Sequence, residues 1–233
     1  MKDFHPLWPG GPLYKGDAVS GDSLALADFA MAVSGERVCD LGCGSGILLL
    51  LLGWQRPSLA LFGVELRPGA AAECRRNAEV NGMAERFHVA DGDLRAVPFP
   101  AESMDLVISN PPYFPPGRGG VSPDPDRAAM RTESATPEEL CAAAAGLLRS
   151  GGTFCLVHRA ERKEEVFAAL SRAGLEPKRL RYMAGDPGRT PGLFLCEAEK
   201  NAAPGFTAEP TLFQRGADGR ETEEYRKICH WEA

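Results

Sequence analysis

Apolar residues in this chain gather into two alternating kinds of run. Short dense runs lie in "RVCDLG", "LALFGVEL", "RFHVADGD", "MDLVISN", "GTFCLVHR", "KRLRYMA", "LFLCEAEK" and "PTLFQR", and they read as strands. Between them lie segments with helical spacing: "DSLALADFAMAV", "ILLLLLGWQ", "PGAAAECRRNAEVNG", "PEELCAAAAGLLRS" and "AERKEEVFAALSRAG". Local signals set several boundaries. Asp22 or Ser23 is the expected N-cap of the first helix, which Gly35 ends. Pro68 opens the third helix and Asn81-Gly82 closes it. Thr136 caps the fourth helix, with Glu139 as its capping-box partner. Strands alternating with helices imply an α/β, doubly wound parallel sheet, with ligands at the carboxyl ends of the strands. Residues 1–20, rich in proline and glycine, are expected to be irregular. Residues 21–233 are expected to form one domain.

The polar residues that break this pattern stand at strand ends. "DLGCGSG" puts Gly42, Gly44 and Gly46 directly after the first strand, preceded by Asp40. A dinucleotide fingerprint would need a third glycine at position 47, which is Ile47. The spacing is therefore G-x-G-x-G, a tight turn that lets a ligand approach bare backbone. The next strand ends in Glu65, followed by Leu66; a carboxylate there can accept both hydroxyls of a ribose. A third strand ends in "ADGDL", where Asp93 suits an adenine amino group and Leu94 its face, with Asp91 as a rival. A ligand with ribose and adenine but no evident pyrophosphate fits S-adenosylmethionine. Here the chain resembles the class I methyltransferases. The resemblance implies a Rossmann-like, seven-stranded, mostly parallel sheet with an antiparallel final strand and helices on both faces.

The fourth strand ends in "SNPPYF". Pro111 and Pro112 cannot continue a ladder, and each biases the residue before it toward extended angles. The side-chain carbonyl of Asn110 and the backbone carbonyl of Pro111 are thus held as two acceptors. Acceptors that take both N–H groups of an amide or exocyclic amine free its lone pair and stabilise the growing positive charge. Tyr113 offers a flat face for a flipped base. Asn110, Pro111, Pro112 and Tyr113 are accordingly the expected catalytic group.

Composition and charge narrow the partner. The chain has 233 residues, 44% hydrophobic and 25% charged, with a formal net charge of -6. It has no apolar run of about 18 residues and no apolar leader, so no membrane partner is expected. The seven cysteines include no C-x-x-C pair. They read as buried hydrophobes of a reducing cytoplasm, with no metal site. An acidic protein is no general nucleic-acid coat. Between Arg149 and Arg189, however, nine basic residues face five acidic ones. Arg159, Arg162 and Lys163 follow a strand end, and Arg118, Arg127 and Arg131 lie in the loop after Tyr113. All six are candidates to hold RNA phosphates.

The chain is similar to the bacterial tRNA1(Val) (adenine37-N6)-methyltransferase family. The matching pieces include "SGDSLALADF", "LGCGSGILLLLL", "GVELRPGAAAECRRNAEVNG", "SNPPYFPPGRG", "RAAMRTE", "GGTFCLVHRAERKEEVFAALSRAGLEPKRLRY" and "LFQRGADGRETEEYRK". The resemblance implies a tRNA partner and methylation of adenine N6, at adenosine 37 of tRNA(Val). No segment is left for the recognition domain of a DNA methyltransferase. The alternatives are an N5-glutamine protein methyltransferase, or another amino-methyltransferase, and a non-catalytic RNA-binding module.

Overall fold

A computed structural model describes residues 3–16, 18–113 and 135–230. Two short strands, β1 (His5–Pro6) and β2 (Leu13–Tyr14), pair antiparallel as a small ribbon. The N-terminal stretch, expected to be irregular, thus carries structure of its own.

Helix α1 (Gly21–Ala30) is capped by Ser20, whose side chain accepts from the Ser23 amide. The cap is therefore neither Asp22 nor Ser23, and the helix stops at Ala30, before Gly35. Strand β3 (Arg37–Leu41) leads through the glycine turn into α2 (Ile47–Gln55). Leu48 to Leu52 are all buried there, which is why α2 lacks a polar face. Strand β4 (Ala60–Glu65), helix α3 (Pro68–Val80) and strand β5 (Phe87–Asp91) follow, then β6 (Met104–Ser109). After the undescribed segment come α4 (Pro137–Leu147), β7 (Leu148–Arg159), α5 (Lys163–Arg172), β8 (Leu175–Ala184), β9 (Leu193–Lys200) and β10 (Thr207–Phe213). The expected capping box of Thr136 and Glu139 is present at α4. A last helix, α6 (Glu223–His230), occupies the tail that reads only as polar in sequence; its Tyr225 and Ile228 are buried.

The sheet runs β10-β8-β9-β7-β6-β3-β4-β5. It is parallel throughout except for β9, which inserts antiparallel between β7 and β8. The seven strands implied by the resemblance are β3 to β9, and the run "PTLFQR" falls in β10, an eighth that lies parallel to β8 at the edge; the antiparallel strand is therefore β9 and not, as expected, the final one. Side chains alternate between two cores. Leu106, Ile108, Cys155 and Val157 pack with α1 and α2; Val107, Phe154 and Leu156 pack with α4 and α5. Strand order reverses between β3 and β6, which opens a crevice at their carboxyl ends. The Ser109 hydroxyl donates to the Leu41 carbonyl at 2.7 Å and ties those two ends together. Among the described residues no helix is long and apolar enough to cross a membrane.

Candidate active site

The glycine turn sits on the β3 side of the crevice. Gly42, Gly44 and Gly46 have φ of 80°, 54° and 86°, a left-handed run that side-chained residues resist. At Gly46 a Cβ would also strike the Cys74 sulfur on α3. At Gly42 a Cβ would meet nothing within 4 Å, so the turn is open on the side a ligand would use.

Two carboxylates lie under it. Glu65 Oε2 accepts from the Gly44 amide at 2.8 Å, and Oε1 accepts from the Arg67 amide at 2.9 Å and from Arg67 Nε at 3.1 Å. The Arg67 side chain therefore covers the carboxylate expected to meet a ribose. Asp40 is 1% exposed, and its Oδ1 has no hydrogen-bond partner. Burial, and then the charge of Glu65, push the Asp40 carboxyl well above the usual carboxylate range. Asp40 is thus a buried acceptor in want of a donor or a cation.

The remaining cofactor candidates are arranged less uniformly. Leu66 points outward, 51% exposed. Asp91 pairs with Arg75 on α3. Asp93 caps the short turn Leu94–Ala96 and pairs with Arg95, whose bonds hold its carboxyl below the usual range. Leu94 lines an apolar cavity with Gly42, Pro111, Pro112, Leu140 and His158. The cavity therefore joins the glycine turn to the Asn-Pro-Pro segment.

On the β6 side, Asn110 Nδ2 donates to the Ser23 hydroxyl of α1 at 2.9 Å. That bond orients the amide, leaving Oδ1 2.6 Å from the Tyr113 hydroxyl. The same hydroxyl lies 2.6 Å from Asp22 Oδ2. Burial first, and then Asp22, raise the Tyr113 phenol well above its ordinary range, so it keeps its proton. In this arrangement the tyrosine is tethered by its hydroxyl. His158 stands edge-on to it, ring centroids 5.7 Å apart. Burial, and then Arg162, lower the His158 pKa to about 4. Its Nδ1 accepts from the Arg159 amide at 2.9 Å.

Several residues of this site escape a reading by motif. Asp22 and Ser23 come from the first turn of α1, far along the chain from Asn110. Asn77 and Asn81, four apart on α3, grip the ribbon like a strand edge. Asn81 exchanges bonds of 2.8 and 2.7 Å with the backbone of Leu13. Asn77 exchanges bonds of 2.9 and 2.8 Å with the backbone of Lys15. The signal for the pair was two asparagines one helical turn apart, Asn77 inside the helix, where that residue type is disfavoured, and Asn81 at its C-cap.

The basic candidates are engaged locally. Arg159 pairs with Glu161 at 3.1 Å, Arg162 with Glu165 at 2.7 Å and Lys163 with Glu164 at 3.2 Å. Arg118, Arg127 and Arg131 lie outside the described residues.

Known proteins show the same frame. A relative from Yersinia pestis named tRNA1(Val) (adenine(37)-N6)-methyltransferase is 35% identical over 142 residues, 60% of this chain and 56% of the relative. A Yersinia pseudotuberculosis protein of the same name matches equally. The match thus spans little more than half the length of these curated relatives. Among solved structures, a predicted O-methyltransferase from Agrobacterium tumefaciens superposes with a TM-score of 0.73 at 20% identity, covering 89% of this chain and 95% of that one. Geranyl diphosphate C-methyltransferase from Streptomyces coelicolor, at a TM-score of 0.58 and 14% identity, covers 76% of this chain and 77% of its own. Both share the doubly wound sheet. The family model for the methyltransferase small domain matches residues 16–173, a stretch that holds both the glycine turn and the Asn-Pro-Pro-Tyr strand end, and the chain belongs to that family.

Proposed function

We propose that the protein is an S-adenosylmethionine-dependent methyltransferase acting on N6 of an adenine in tRNA, at adenosine 37 of tRNA(Val). The observation that carries this reading is the orientation of Asn110, with Nδ2 spent on Ser23 and Oδ1 turned to a hydroxyl donor. A substrate N–H can donate to the same oxygen, because the single Tyr113 proton is shared with Asp22.

The cofactor, when bound, supplies a methyl group on a positively charged sulfur. The residues present suit it. The open glycine turn gives bare backbone for its amino-acid portion, Asp40 a buried acceptor, Glu65 a partner for the ribose on displacing the Arg67 side chain, and Leu94, with Asp93 beside it, a face for the adenine. Asn110 Oδ1 and the Pro111 carbonyl accept from the target amine, which pushes its nitrogen toward a tetrahedral shape and frees the lone pair. Tyr113 stacks on the base. Arg118, Arg127, Arg131, Arg159, Arg162 and Lys163 are proposed to hold phosphates, the last three by trading their glutamate partners for RNA.

A second reading, a glutamine-amide methyltransferase acting on a protein, uses the same acceptors. The ion-paired state of Arg159, Arg162 and Lys163 is the observation that favours it. Labelled S-adenosylmethionine incubated with unmodified tRNA separates the two. The proposal expects label in N6-methyladenosine after digestion, and tRNA affinity that falls steeply with salt. Absence of label from a full set of unmodified tRNAs would overturn it.

A further inference from the structure

The Tyr113 hydroxyl touches two acceptors at 2.6 Å, Asp22 Oδ2 and Asn110 Oδ1, and it has one proton to give. A carboxylate is a stronger acceptor than an amide carbonyl, because the bond to it is charge-assisted. The proton therefore sits toward Asp22. In this orientation Asn110 Nδ2 donates to the Ser23 hydroxyl at 2.9 Å, and that hydroxyl lies 3.0 Å from the Ser20 hydroxyl, which can take its proton and leave its lone pair to Asn110. The lone pairs of Asn110 Oδ1 are left without a full donor, on the residue between Ser109 and Pro111, both of which line the apolar cavity.

We propose that Asp22 is a positioning residue that draws the Tyr113 hydroxyl proton away from Asn110, and so keeps Asn110 Oδ1 open to a substrate N–H. Without Asp22 the tyrosine would donate to Asn110 and mask the acceptor that the reaction needs. The substrate would then have to break a buried hydrogen bond before making its own. This inference rests on the reading of Asn110 Oδ1 as the acceptor for the target amine. Asp22 also accepts from the Ser23 amide at 3.1 Å through Oδ1, a bond that serves the helix start and not the reaction.

The test is a double-mutant series read as kcat/KM for tRNA. Asp22→Asn leaves two amide carbonyls sharing the proton, and Asp22→Ala leaves Asn110 alone with it. Activity should fall in the order wild type, Asn, Ala, with a total loss of about tenfold, the equivalent of one neutral hydrogen bond. In a Tyr113→Phe background there is no proton to place, so the three residues at position 22 should give equal activity within about twofold. If the losses at position 22 are the same in both backgrounds, Asp22 acts through helix structure or charge and the inference fails.

A second measurement does not need activity. With 13C-labelled tyrosine, the Tyr113 ring signal should begin to titrate at lower pH in Asp22→Asn than in wild type. Equal titration would show that the hydroxyl is not bonded to Asp22 and would also overturn the inference. A wild-type protein that methylates no tRNA, yet shows the shifted titration, would instead sink the reading of the reaction and with it the role assigned to Asp22.

Discussion

Asn77 Nδ2 donates to the Ser45 carbonyl at 2.9 Å, so one buried amide binds both the glycine turn and, through Lys15, the N-terminal ribbon. Asn77 is 1% exposed and every bond its side chain makes is to backbone. Losing it leaves up to three backbone groups wanting partners, each costing about 1–3 kcal/mol if it stays buried. The ribbon can regain water by lifting off; the Ser45 carbonyl cannot. Asn77→Ala should therefore speed trypsin cleavage after Lys15 by about tenfold or more and also weaken S-adenosylhomocysteine binding. Asn81→Ala should release the ribbon and leave that binding nearly unchanged, because Asn81 does not touch the turn. Limited digestion with mass spectrometry, beside calorimetry, checks both.

Asp40 is held above the usual carboxylate range, so its ionised form works against folding as pH rises past the unfolded value of 3.8. Replacing it with asparagine removes that cost. Asp40→Asn should raise the Tm of the ligand-free protein at pH 7.5 by about 2–4 °C for each kcal/mol recovered. It should at the same time weaken S-adenosylhomocysteine, since the cation of the amino-acid portion loses its carboxylate. Scanning calorimetry with and without ligand reads both. A lower Tm in the variant would contradict this account of Asp40.

His158 titrates in the opposite sense. Its folded value of about 4 lies below an ordinary histidine near 6.5. The unfolded chain therefore takes up a proton first as pH falls. The contribution of His158 is complete above pH 6.5 and is lost between roughly pH 6.5 and 4, amounting to about 3 kcal/mol. Urea midpoints at pH 7, 5.5 and 4.5 should fall more steeply for wild type than for His158→Gln. Parallel curves would remove His158 as the cause.

Arg179 belongs to the basic stretch but serves the frame. It bonds Glu197 on β9 at 2.8 Å, Glu209 on β10 at 3.1 Å and the Phe29 carbonyl of α1 at 2.7 Å, with its guanidinium 3.7 Å from the Phe29 ring centre. Removing one partner of such a set strands the others. Arg179→Ala should destabilise the protein by about 3 kcal/mol and leave the salt slope of tRNA binding unchanged. Arg162→Ala should show the reverse: little change in stability, and a slope smaller by about one.

Much of the frame was legible because its signals are local. Dense apolar runs marked β3, β4, β6, β7 and β9, the glycine spacing marked the turn into α2, and Thr136 with Glu139 marked the start of α4. The tail helix was missed because, among its residues of described burial, Tyr225 and Ile228 alone are buried, too few to set a period by eye. The parallel addition of β10 follows from packing beyond the seven-strand pattern. At the site, the types of residue at strand ends were readable, and their partners were not. Asp22 meets Tyr113 across 91 residues, and Asn77 meets Lys15 across 62. Such pairings are made by tertiary packing and leave no spacing to read. The excess of basic residues near α5 was visible as a count, while the glutamates that neutralise Arg159, Arg162 and Lys163 became partners only through the short 3-10 turn Ala160–Arg162 and the start of α5.

The position of β9 between two strands that precede it governs what a ribosome must do. β7 and β8 are synthesised first, and each then offers a row of unpaired amides and carbonyls to the slot between them. A nascent chain halted before Leu193 would present both rows to any neighbouring chain, whereas one extended past Lys200 can close the slot from within. The interval in which translation reads fewer than ten codons is thus the one that fills the open slot and leaves only the edge beside β8 to be covered by β10.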